Sequence, residues 1–118
     1  MLRVRAVQWE ALSRASEERF IRRLCRHLID WFSDLRGTPP AALRPFVRAG
    51  LVDARGHGFT TERDASRFIA IQRAIGADFA SRYPWAVRIL ADRRGLSPAY
   101  KIRYLMEHAR AVDPDTVP

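Results

Sequence analysis

The residues of this sequence that could do chemistry are one cysteine, three histidines and two close pairs of carboxylates. Cys25 and His27 come nearest to a metal-binding pattern, but residues two positions apart on a helix project about 200° apart and cannot easily share one ion. Cys25 also lies within the apolar arc of its predicted helix, where a cysteine behaves as a small hydrophobic side chain and not as a nucleophile. We therefore expect neither a metal site nor a reactive thiol.

The two carboxylate pairs are Glu17 with Glu18, and Glu62 with Asp64. Both pairs fall at predicted helix starts, where the helix dipole favours negative charge, so they are explained without acid–base catalysis. The sequence also contains no glycine-rich phosphate loop, no nucleophile elbow and no zinc-protease helix motif. The sequence predicts a protein that is not an enzyme, with no catalytic residue, no cofactor and no metal.

The elements that carry these residues are predicted to be helices throughout, because apolar residues recur every three or four positions. A chain of 118 residues can bury a core without disulfides. We expect an all-α fold: a compact single-domain bundle of about five to six short helices over residues 1–112, followed by a frayed tail at 113–118.

Capping residues, prolines and glycines mark the predicted helix boundaries. In chain order they are Ser16 (start of a second helix), Gly37, Pro45, Thr60 or Thr61, Gly76, Pro84 and Ser97. The apolar stripe of the second helix is predicted to include Trp31, and that of the last helix Val112. Trp85 and Val87 lie in a short segment that is apolar on all sides, which predicts burial.

A row of arginines on the second predicted helix is the first candidate binding surface: Arg19, Arg22, Arg23 and Arg26. These side chains fall within an arc of about 100°, opposite the apolar stripe, and could hold phosphates or acidic side chains. The alternative is that the row is a solvent-exposed helix face without a ligand. Glu18 and Arg22, four residues apart, are spaced to stabilise such a face as an ion pair. The net charge of +8 favours acidic partners but does not name one.

The last predicted helix offers a second candidate surface, formed by Tyr100, Arg103 and Tyr104. The tyrosines are one turn apart on its polar side, and tyrosine beside arginine is typical of the centre of a protein interface. Packing of both rings against the first helix or the loops remains the alternative.

The segment from Pro45 to Gly76 mimics a helix-turn-helix. Glu62 and Asp64 stand where its second helix would meet DNA and would repel phosphates, so DNA reading by this segment is not expected. No apolar run reaches the ~18 residues of a membrane span, and no signal peptide is evident. Together with a single cysteine, this predicts a cytoplasmic protein without a membrane partner.

In its helix caps, turn residues and buried anchor residues, this chain resembles a group of small helical proteins encoded with bacterial type VI secretion components. The residues that carry the resemblance are Phe20, His27-Leu28, Gly50-Leu51 with Ala54, Gly58-Phe59-Thr60-Thr61-Glu62, Phe68, Gly76 with Phe79, and Pro84-Trp85-Ala86 with Ile89-Leu90.

The resemblance implies a non-enzymatic accessory protein or co-chaperone, whose partner is a secretion effector, its adaptor chaperone or a spike or tip protein. It carries over no functional residue. Two other functions stay open: a nucleic-acid-binding domain that uses the face from Arg19 to Arg26, and an immunity protein that neutralises a toxin.

Overall fold

The computed structural model describes the backbone of residues 2–114 and the side chains of residues 14–114. These residues form six α-helices, two short 3-10 turns and no strand, which confirms the predicted all-α class. The helices are α1 (Leu2–Trp31), α2 (Arg44–Gly56), α3 (Glu62–Ile75), α4 (Phe79–Arg82), α5 (Pro84–Ala91) and α6 (Pro98–Val112).

The chain divides by its internal contacts into two compact units, the first ending at Arg44 and the second beginning at Pro45. The single domain expected over residues 1–112 stays a prediction. Of the tail expected to fray, residues 115–118 lie outside the described part of the chain.

Helix α1 runs without interruption through Ser16, so the predicted start of a separate helix at this residue is wrong. The sequence has neither glycine nor proline before Gly37, and good helix formers such as Ala, Arg, Glu and Leu fill this stretch. Ser16 uses its hydroxyl within the helix, where Oγ accepts a hydrogen bond from Nη2 of Arg19 at 3.2 Å. A favourable capping residue is therefore overridden by uninterrupted helix propensity.

The end of α1 comes earlier than the apolar stripe predicts. Trp31, the last helical residue, is 41% exposed, so its predicted burial is wrong. Phe32 follows in an extended conformation and is buried in its place. Two 3-10 turns, Ser33–Leu35 and Pro40–Leu43, then pack against α1.

The predicted boundaries in the second unit agree with the structure. Thr61 caps α3, with its Oγ1 accepting a hydrogen bond from the Asp64 backbone N–H at 3.1 Å. Gly76 ends α3 with a φ of 122°, in the region that favours glycine. Pro84 occupies the first turn of α5, and Ser97 caps α6.

The core of the second unit centres on three aromatic rings, those of Phe59 in the loop after α2, Phe68 in α3 and Phe79 in α4. The Phe68 ring lies 5.6 Å from that of Phe59 and 5.0 Å from that of Phe79, measured between centroids. All three side chains are buried. Around this cluster α3 packs on α6 and α4, and α5 packs on α4 and α6.

Three residues of the second unit that the apolar pattern predicts to be buried are not fully buried: Trp85, Val87 and Val112, of which Val87 is 45% exposed. Trp85 is half-buried, and its ring stacks on that of His108 with centroids 5.0 Å apart. Val112 is 44% exposed near the end of α6. An apolar pattern names residues suited to burial, but neighbouring elements cover only part of α5, in which Ala86 alone is fully buried.

Candidate functional site

The tyrosine pair on α6 lies at the surface of the second unit. Tyr100 is 55% exposed and Tyr104 is 42% exposed, so the rings do not pack into the core. The start of the helix is fixed beside them, because Oγ of Ser97 accepts a hydrogen bond from the Tyr100 backbone N–H at 3.3 Å. Arg103 lies between the tyrosines in sequence, with its Nε 3.7 Å from Oε1 of Glu107.

A cleft between α3 and α6 joins Tyr100 and Arg103 to residues outside the predicted surface. Its volume is about 490 Å³. The lining residues are Thr61, Arg63, Asp64 and Arg67 from the start of α3, and Ala99, Tyr100 and Arg103 from α6. Tyr104 lines neither this cleft nor the next, so the structure brings together only part of the predicted set.

A second cleft, of about 420 Å³, adjoins the first and shares Arg63, Arg67 and Arg103 with it. Met106, Glu107 and Arg110 complete its lining. The two clefts form one continuous surface, which we call the α3–α6 surface. Its charge is dominated by four arginines, with Asp64 and Glu107 as the two carboxylates in the lining.

The part of this surface that sequence reasoning missed is the pair Arg63 and Arg67. The two arginines are four residues apart, so they share one face of α3. In the sequence this helix is marked by its acidic first turn and by its place in a helix-turn-helix pattern, and its arginines were not predicted to bind a partner. Their spacing was a visible signal, but only the packing of α3 on α6 places them beside Arg103.

The arginine row predicted on α1 is present as an exposed face of the first unit. Arg19, Arg22, Arg23 and Arg26 are all exposed. Arg22 and Arg26 line a groove of about 370 Å³ with Cys25, Pro40, Ala41 and Arg44, whereas Arg19 and Arg23 do not. The predicted row is therefore divided between a groove and an open face.

Arg44 lines the same groove as Arg22 and Arg26 and is held by an ion pair. Its Nη2 donates to Oε2 of Glu18 at 3.0 Å. Burial raises the pKa of the Cys25 thiol, and the charge of Arg44 offsets part of this increase. A buried thiol with a raised pKa is a poor nucleophile, so the groove offers positive charge and no evident chemistry.

The three histidines pack against aromatic rings. His27 lies on Trp31 with ring centroids 5.4 Å apart, His57 lies 5.6 Å from Phe68, and His108 stacks on Trp85. Within the described part of the chain, no group of three or more His, Cys, Asp or Glu side chains is placed to hold a metal ion.

Among the described residues, no helix has an apolar stretch long enough to cross a membrane. Comparisons with profiles of known protein families, with curated proteins and with solved structures found no match.

Proposed function

We propose that this chain is a non-enzymatic accessory protein that binds a type VI secretion effector, or the adaptor chaperone of one, in the cytoplasm before delivery. The observation that carries the binding role is the exposed pair Tyr100 and Tyr104 beside an arginine-lined cleft. The resemblance of the sequence to small proteins encoded with type VI components supports the choice of partner.

The α6 surface suits a protein partner in composition and in rigidity. Tyrosine and arginine are the residue types most enriched at the energetic centres of protein interfaces. The cap at Ser97 and the proline at position 98 fix the first turn of α6 before any partner arrives. A preformed surface loses less conformational freedom on binding, which favours affinity.

The placement of the potentially reactive side chains supports binding over catalysis. Cys25 is buried, and burial raises its pKa. Each histidine ring lies against an aromatic ring, where packing explains its position. Both clefts of the α3–α6 surface are lined by arginines, which serve in recognition and charge complementarity.

The exposed arginine row on α1 favours a second candidate, nucleic-acid binding. Four neighbouring guanidinium groups can neutralise phosphates, and such binding weakens steeply as salt rises. An immunity protein would use an interface of the same kind as an accessory protein. An immunity protein would rescue cells from the toxicity of an effector encoded by a neighbouring gene, and an accessory protein would not.

The double substitution Tyr100→Ala with Tyr104→Ala tests the proposal. It is expected to weaken the affinity for the effector or adaptor encoded by a neighbouring gene about tenfold, or about 1.4 kcal/mol, because two anchor rings are lost from the interface. The measurement is the dissociation constant of the complex purified from the native host. Val52→Ala, at a 69% exposed position on α2, is the control and is expected to bind normally.

The double variant should melt at nearly the parent temperature, since both rings are exposed. Unchanged affinity would show that α6 is not the interface. Site-selective binding of duplex DNA, with no secretion component retained by the parent protein, would overturn the proposed function itself.

A further inference from the structure

The α3–α6 surface combines features that point to the chemistry of its ligand. Arg63 and Arg67 on one side and Arg103 on the other line both of its clefts, so the positive charge is continuous across the junction of two helices. Arg110 extends this charge along α6. A guanidinium group is planar and matches a carboxylate with two parallel hydrogen bonds, which favours acidic groups in the ligand.

Arg103 can be recruited by such a ligand at low cost. Its contact with Glu107 spans 3.7 Å, and the two side chains are 70% and 53% exposed. An exposed pair of this kind contributes little to stability, because water screens it. A ligand carboxylate can therefore replace Glu107 as the partner of Arg103.

Apolar and aromatic atoms lie within the same surface. Tyr100 borders the first cleft with more than half of its side chain exposed, and Ala99 lies next to it. Met106 lines the second cleft and is otherwise buried. These side chains can receive an apolar residue of the ligand between its acidic groups.

The exposed carboxylate of the surface distinguishes a protein ligand from a polyanion. Asp64 is buried, but the side chain of Glu107 is 53% exposed among the arginines, where it would repel a continuous phosphate backbone. A peptide can place its carboxylates against the arginines and leave a neutral residue opposite Glu107. The mixture of charges favours a protein segment over nucleic acid.

We infer that the α3–α6 surface is the docking site for an acidic segment of the protein partner, in which carboxylates meet Arg63, Arg67 and Arg103 and an apolar side chain lies beside Tyr100. This inference rests on the proposed function and names the chemistry that the partner presents. The arginines of α3, and not those of α1, supply the recognition.

A labelled peptide rich in glutamate, with a single leucine, is the probe for this inference. Its affinity is measured by fluorescence anisotropy at physiological salt, alongside a labelled peptide in which Gln replaces Glu and a labelled duplex DNA oligonucleotide. The Glu peptide should bind the parent protein at least about tenfold more tightly than the Gln peptide and the DNA.

The double substitution Arg63→Ala with Arg67→Ala is the decisive variant. It is expected to weaken binding of the Glu peptide about tenfold. The matched control is Arg93→Ala with Arg94→Ala, which removes the same charge from exposed positions between α5 and α6. Equal loss in both variants would show general charge attraction and overturn the inference. Tighter binding of DNA than of the Glu peptide, lost in the same variant, would identify a polyanion site instead.

A charge-reversal variant distinguishes the loss of the binding surface from the loss of the fold. The Arg67→Glu variant should no longer bind the Glu peptide and should instead bind a peptide in which Lys replaces Glu. Only a folded protein can show this change of preference. If the secretion component is retained but is insensitive to the Arg63 and Arg67 changes, the inference fails and the proposed function stands. If the Glu peptide binds as expected but no secretion component is retained, the proposed function fails.

Discussion

Phe68→Ala is expected to lower the free energy of unfolding by about 3 to 5 kcal/mol. The Phe68 side chain is 1% exposed and lies at the centre of the ring cluster of the second unit. It contacts the rings of Phe59, Phe79 and His57 with centroid distances of 5.6, 5.0 and 5.6 Å. Its removal leaves a cavity between α3 and its neighbours, and these rings cannot close it without leaving their own packing.

The measurement is urea unfolding followed by circular dichroism, compared with the parent protein. Val87→Ala, at a 45% exposed position on α5, is the control and should change stability by less than about 0.5 kcal/mol. A loss below about 1 kcal/mol for Phe68→Ala would show that the cluster is not tightly packed.

Gly50→Leu is expected to destabilise the protein by about 3 kcal/mol, because α2 and α3 leave no room for a side chain at this position. A Cβ atom added at Gly50 would lie 2.6 Å from Oε1 of Gln72 and 2.8 Å from Cγ1 of Ile69. Gln72 is not free to withdraw, since its Nε2 donates to Oδ2 of Asp53 at 3.0 Å and to the Ala77 carbonyl at 3.1 Å. The clash outweighs the gain of about 1 kcal/mol in helix propensity when glycine is replaced.

Gly56→Leu is the matched control for this prediction. Gly56 is the last residue of the same helix, and apart from its chain neighbours and the backbone of its own helix no atom lies within 4 Å of the Cβ that a side chain would add there. Thermal unfolding of the two variants should separate them clearly, with the Gly56 variant close to the parent. Equal melting temperatures would mean that α2 can move away from α3 without loss.

Local signals in the sequence predicted most helix boundaries of the second unit. Thr61, Gly76 and Ser97 act through hydrogen bonds and backbone conformations that involve only a few neighbouring residues, so the sequence contains the information. Ser16 has the same capping ability, yet α1 continues through it. The difference is that continuous helix formers surround Ser16, and a cap signal does not decide between starting a helix and continuing one.

Burial and the candidate site were predicted less completely, because both depend on which elements become neighbours. Trp85 and Val112 have suitable residue types, but the packing leaves them half-buried and exposed. The exposure of Tyr100 and Tyr104 follows from helix periodicity and agrees with the predicted polar side of the last helix. The meeting of Arg63 and Arg67 with Arg103 needs the packing of α3 on α6, which no local pattern contains.

The most direct measurement is site-specific photo-crosslinking in the native host, with a photoreactive phenylalanine analogue in place of Tyr100 and, as the control, in place of Val52. If the α3–α6 surface binds the partner, the Tyr100 position crosslinks to an effector or adaptor of the type VI system, and mass spectrometry locates the crosslink in an acidic segment. The Val52 position should give no such product. Crosslinks from Tyr100 to nucleic acid, or the same products from both positions, would contradict a protein-binding site on the α3–α6 surface.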